Sequence, residues 1–149
     1  MGAKAPKYGE FKRGFAPLFK EPSPSPRVER GTQGVRLMKD IKFNEKGLIP
    51  AIAQDADTGE VLMLGYMNEE ALRRTLSSGE AWFYSRSRKE LWHKGETSGS
   101  IIKVKSIWKD CDNDTILIKG KASGPVCHTG NKTCFFQPLT KPDATNLLK

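Results

Sequence analysis

The chain has three cysteines, and all of them, Cys111, Cys127 and Cys134, fall between residues 110 and 136. That stretch reads DCDNDTILIKGKASGPVCHTGNKTCFF. It also holds one of the two histidines, His128, and an alternating trio of acids, Asp110, Asp112 and Asp114. An odd number of cysteines excludes a complete disulfide framework. In a reducing compartment, clustered cysteines serve as metal ligands or catalytic groups more often than as bridges. The sequence shows no apolar run of membrane-spanning length and no signal-peptide core, so the expected setting is cytoplasmic.

Length and charge set the frame for this stretch. At 149 residues with 37% hydrophobic content, the chain is expected to form one domain, with part of it lying outside. The net charge of +8 is unevenly spread: the first 37 residues carry eight Lys+Arg against three Asp+Glu, and the rest seventeen against fourteen. The domain itself is therefore only mildly basic, which weakens a nucleic-acid reading. Residues 1–37 are expected to be a disordered or extraneous extension, with Pro22, Pro24 and Pro26 favouring extended backbone. Within them Phe11, Phe15, Leu18 and Phe19 fall at helical spacing, as a short docking segment would. Met38 is a second candidate start. The domain is expected over 38–138, and 139–149 as a short polar tail.

From residue 41 the pattern becomes that of a folded domain. Residues 49–53 read as a strand, Asp57-Thr58-Gly59 as a turn, and the apolar run 61–67 as a strand buried on both faces, the two strands forming a hairpin. Asn68 is the expected helix N-cap, with Glu69 and Glu70 in the first turn and Gly79 as the stop. Ala71, Leu72, Thr75 and Leu76 supply the buried face. Residues 81–85, 101–107 and 115–119 read as strands, the second with apolar residues on both parities. The expectation is six or seven strands and a helix with no βαβ rhythm: a mostly antiparallel α+β domain capped by the helix.

The cysteines are separated by sixteen and then seven positions, unlike the tight pairs of a zinc finger. Three cysteines without an obvious fourth ligand lean toward an open, catalytic zinc; the competing reading is three packed core cysteines. His128 directly follows Cys127, and adjacent residues rarely reach one ion together. It is therefore assigned an acid/base role. If residues 110–114 are extended, the three aspartates share one side and Cys111 takes the other, a set suited to Mg²⁺. An acidic solvated turn explains them equally well. An EF-hand does not, because Thr115 and Lys121 stand where Gly and Glu are needed.

Upstream, Arg86 and Arg88 precede Trp92, Lys94, Glu96 and Ser98 in a glycine- and hydroxyl-rich segment. Arginine forks and backbone amides of this kind can cradle phosphate, and Trp92 can stack on a base. A charged hairpin turn is the plainer reading. His93 is read as a surface residue.

Together, DCDND, GPVCHTG and Cys-Phe-Phe, with IPAIAQDADTGEVLMLGYMNEEALRRTL and WFYSRSRKELWHKGETSG before them, resemble the phosphoribosyl-AMP cyclohydrolase family of histidine biosynthesis. The resemblance covers residues 41–136. It implies a small β pseudo-barrel with a capping helix, assembled as an intertwined homodimer. It implies one Zn²⁺ per subunit, with Cys111 from one chain and Cys127 and Cys134 from its partner, and Mg²⁺ on Asp110, Asp112 and Asp114. The implied reaction hydrolyses the N1–C6 bond of 1-(5-phosphoribosyl)-AMP, giving the phosphoribosylformimino-AICAR phosphate product. His128 is then the general base, and Arg86, Arg88, Trp92, Lys94, Glu96 and Ser98 are candidates for holding the substrate. The family is in some organisms fused to a phosphoribosyl-ATP pyrophosphatase domain, and this chain is expected to be monofunctional.

Two alternative readings fit the sequence less well. A nucleobase deaminase needs HxE and PCxxC, and neither His93-Lys94-Gly95 nor Pro125-Val126-Cys127 matches. A zinc-stabilised basic nucleic-acid-binding module draws on the net charge, but most of that charge lies on the first 37 residues.

Overall fold

The computed structural model describes residues 36–140. The expectations for residues 1–35 and 141–149, including the helically spaced phenylalanines, lie outside the described residues. Strand β1 (Ile49–Asp55) and β2 (Val61–Met67) pair antiparallel across the predicted turn. Asp55 organises that turn, its Oδ1 accepting the amides of Asp57 and Thr58 at 2.9 Å each.

Helix α1 (Glu69–Ser78) begins and ends at the predicted residues. Asn68 Oδ1 accepts the Ala71 amide at 2.8 Å, and Gly79 takes the left-handed conformation at φ 72°. The predicted face is the observed one: Ala71, Leu72 and Thr75 are buried, and Leu76 packs on the core. Thr75 also ties the helix to the next strand, its hydroxyl accepting the Trp82 amide at 2.9 Å.

Strands β3 (Trp82–Ser85) and β4 (Glu90–His93) form a separate two-stranded ribbon. Phe83 lies fully buried beneath β2, and its burial is worth about 1.5–3 kcal/mol. Only glycine fits above it: a Cβ at Gly65 would stand 2.6 Å from the Phe83 ring. Strands β5 (Ile102–Lys109) and β6 (Ile116–Ala122) complete a four-stranded sheet ordered β2-β1-β6-β5. The mixed parity of β5 has a local cause. A bulge between Val104 and Ser106 leaves Lys105 unpaired, so the inward set passes from Ile102 to Ile107.

Three expectations change. The β1–β6 pairing is parallel, although the other ladders are antiparallel as predicted. Strand β2 is not buried on both faces. It is a sheet edge with Val61 and Leu64 exposed, because no strand covers its outer side among the described residues. The ladders form an open sheet and a ribbon, and no closed barrel is found among the described residues. The domain is nonetheless mostly β with α1 against it, as the sequence indicates. Among the described residues no helix is long and apolar enough to cross a membrane.

Candidate active site

Both predicted ligand groups lie on loops that leave the sheet. Residues 110–114 connect β5 to β6, and of the two conformations left open, extended segment or acidic turn, they form the turn. The turn closes on itself. Asp110 Oδ1 accepts the amides of Asp114 at 3.0 Å and Thr115 at 3.1 Å, and Asn113 adopts φ 66°. Alternation along a strand is therefore not what gathers the acids. They converge because the turn folds them inward, and each offers a carboxylate oxygen within 4.8 Å of the others.

Crowding shows in their acidities. Burial pushes Asp110 up, but the Thr115 and Asp114 amides and the neighbouring carboxyls outweigh it and hold it below the ordinary value. Asp114 is pushed up, first by its hydrogen bond with Asp110, then by burial and the charges of Asp112 and Asp110. Three like charges this close favour either a shared proton or a cation.

The second group is built on the arm that follows β6. Cys127 and Gly130 form a turn, with Gly130 N donating to Cys127 O at 3.0 Å. The arm then docks on the open edge of β2. Cys134 N donates to Leu62 O at 2.8 Å, and the Thr133 hydroxyl to Val61 O at 2.7 Å. These anchors bring the Cys127 and Cys134 thiols close enough that each shifts the other's acidity.

The Thr129 hydroxyl donates to Cys127 Sγ at 3.0 Å, and Asn131 Nδ2 supports Thr129 at 2.9 Å. Thr129, through side chain and backbone, is the main reason the Cys127 thiol is held below its ordinary pKa. Burial is the main reason Cys134 is pushed up, the neighbouring Cys127 thiol adding to it. Cys127 is buried; Cys134 and Cys111 are exposed, and all three are free thiols.

Cys111 rides on the aspartate turn. The three sulfurs do not gather within one chain: among the described residues, the acidic trio is the group of three or more ligand side chains that converges. His128 is exposed on the turn beside Cys127.

The candidate substrate residues divide. Arg86, Arg88, Glu96 and Ser98 are exposed; Arg86 lies 3.9 Å over the Tyr66 ring and Arg88 Nε is 3.3 Å from Glu90. Trp92 is half-buried against Phe83, and Lys94 is buried beside the two thiols rather than presented on the surface. His93 is not a surface residue. It stacks on Trp82 at 4.5 Å and lies 2.8 Å from Glu80, off the line of a hydrogen bond. Cavities of about 540 and 430 Å³ open at the start of α1, lined by none of these groups. The ligand chemistry, not those cavities, marks the site.

Sequence reasoning missed Thr129, Asn131 and the inward turn of Lys94. The Thr129 signal was legible, as a hydroxyl two residues after a cysteine in a glycine-bounded turn. The Lys94 signal was not, because only tertiary packing buries it.

Comparison with known proteins gives a single answer. A family model described as phosphoribosyl-AMP cyclohydrolase matches residues 63–136. A protein of that name from Listeria innocua is 58% identical over 106 residues, covering 71% of this chain and 99% of its own length. One from Pelotomaculum thermopropionicum is 51% identical over 111 residues, covering 74% of this chain and 86% of its own length. The histidine biosynthesis bifunctional protein HisIE of Caldanaerobacter subterraneus is 61% identical over 100 residues. That match covers 67% of this chain and 49% of the relative, so the chain spans about half of the bifunctional protein.

Proposed function

The chain belongs to the phosphoribosyl-AMP cyclohydrolase family of histidine biosynthesis; from that premise we propose that it opens the adenine ring of 1-(5-phosphoribosyl)-AMP by adding water at C6 and breaking N1–C6. The observation that carries this reading is the Cys127–Cys134 pair, hydrogen-bonded by Thr129 and followed directly by an exposed imidazole. An enzyme family leaves no ground for the nucleic-acid module.

The donor sets fit the two implied ions. Soft sulfur from Cys127 and Cys134, completed by Cys111 of a second copy, suits Zn²⁺, and the converging oxygens of Asp110, Asp112 and Asp114 suit Mg²⁺. Zinc so held supplies a nucleophile at neutral pH by lowering the pKa of bound water to about 7. His128 takes the proton released as water adds to C6, and returns it to N1 as the C6–N1 bond breaks. Arg86 and Arg88 offer exposed guanidinium forks to the phosphates, and Trp92, Glu96 and Ser98 lie along the same segment.

A homodimer supplies the missing sulfur. Its support is twofold: Cys111 stands apart from the pair in one chain, and Val61, Leu64, Phe135 and Phe136 leave apolar surface exposed around the arm. Three free thiols suit a reducing cytoplasm.

The test is ultraviolet detection of ring opening by zinc-loaded protein. Wild type turns over, and His128→Ala loses about 10²- to 10⁴-fold with a changed pH profile. Full turnover by His128→Ala at every pH removes the base assignment. A folded, zinc-loaded wild type that does not open the ring defeats the reaction itself.

A further inference from the structure

Lys94 is a long cation that the fold has taken out of water. It is 5% exposed, although lysine is almost never fully buried without a partner. Its position is fixed by backbone. Lys94 N donates to Ala81 O at 3.0 Å, closing the end of the β3–β4 ribbon. The next residue admits no side chain, since a Cβ at Gly95 would stand 2.3 Å from Ile101 N. Among the described residues no carboxylate pairs with its ammonium. Burial pushes its pKa down, the charges of Cys134 and then Cys127 act against that and favour the ammonium, and the Trp92 ring lies 5.7 Å from Nζ.

We infer that Lys94 is the counter-charge of the cysteine centre, a positioning residue that acts through the sulfurs and not on substrate phosphate. The inference rests on the zinc reading above. Charge balance leads to it. Three thiolates around one Zn²⁺ leave a net charge of −1, and burying a net charge is costly unless an opposite charge is buried with it. Lys94 supplies that charge from within the fold.

The experiment is zinc competition against a chromophoric chelator at one fixed pH, on the full chain, for wild type, Lys94→Met and Lys94→Arg. Lys94→Met weakens zinc binding about 10- to 100-fold, and Lys94→Arg, which keeps the charge, restores most of it. Should the Met variant fail to fold by circular dichroism, Lys94→Gln replaces it with the same expected loss. A folded Lys94→Met that binds zinc as tightly as wild type but loses turnover overturns the inference and puts Lys94 on the substrate, leaving the zinc centre standing. If zinc binding by wild type is unchanged in Cys127→Ala, the zinc reading itself fails and takes the inference with it.

Discussion

The aspartate turn at 110–114 is held mainly from within. Asp110 Oδ1 accepts two amides from within five residues, and one bond from outside, Lys42 N to Asn113 O at 2.8 Å, ties it to the segment before β1. The cysteine arm is held by the rest of the protein, through Leu62 and Val61 of β2. One group is exposed, local and anionic. The other is partly buried, built from distant segments, and balanced by a cation. A hard ion that keeps its waters suits the first construction, and a soft ion in a dry setting suits the second. Cys111 belongs by sequence to the aspartate turn and, on the proposed zinc reading, by chemistry to the arm, so that reading has the two constructions meet across two chains.

Subunit mixing tests that meeting point and has the largest expected effect. Cys111→Ala and Cys127→Ala each abolish ring opening alone. Refolded together in equal amounts, half of the dimers are mixed, and each carries one intact centre of two, so activity returns to about a quarter of wild type. Mixed dimers verified by mass that stay inactive would place all three sulfurs in one chain and dissolve the contrast.

Much of this was legible in residues 38–138, and the reasons differ by element. The β1–β2 hairpin, the Asn68 cap and the Gly79 stop depend on neighbours within a few positions, where turn chemistry and helix periodicity act. The parallel β1–β6 pairing was not legible, because it joins segments about 65 residues apart with no crossover rhythm to signal it. The grouping of the aspartates was legible but its local cause was left open: an i, i+2, i+4 pattern gathers carboxylates on a strand or around an Asx-type turn, and the amides of Asp114 and Thr115 select the turn. His93 read as polar surface, and Lys94 as a candidate for holding substrate phosphate. Trp82 stacking and ribbon closure bury them, and neither can be seen in a window of sequence.

A smaller effect separates fold from ligand within the aspartate turn. Asp110→Ala removes the acceptor of two backbone amides, so it lowers the thermal midpoint by a few degrees as well as weakening Mg²⁺ dependence. Asp112 accepts no backbone amide, so Asp112→Ala leaves the midpoint in place while raising the half-saturating Mg²⁺ about tenfold. Calorimetry and magnesium titration of turnover read the two separately. Equal midpoints for the two variants would mean that the turn does not depend on its own acceptor.

The smallest effect is a pH dependence in the stabilisation that Mg²⁺ confers. Asp114 has its acidity weakened, first by the hydrogen bond with Asp110, then by burial and the neighbouring charges. The folded protein therefore keeps a proton there over a pH window in which the unfolded chain has released it. That contribution to stability is full below the unfolded value and is lost as pH rises through the raised folded one. Asp110 runs the other way: its lowered value contributes stability above the unfolded pKa, lost as pH falls through the folded one. A cation must displace the Asp114 proton, so the rise in midpoint on adding Mg²⁺ is small in acid and grows as pH climbs through the raised value. Asp114→Asn removes that titration and flattens the growth. An Mg²⁺ increment equal at all pH, or one that keeps its full pH dependence in Asp114→Asn, would show that the ion stabilises the protein elsewhere and that the acidic turn is a solvated loop.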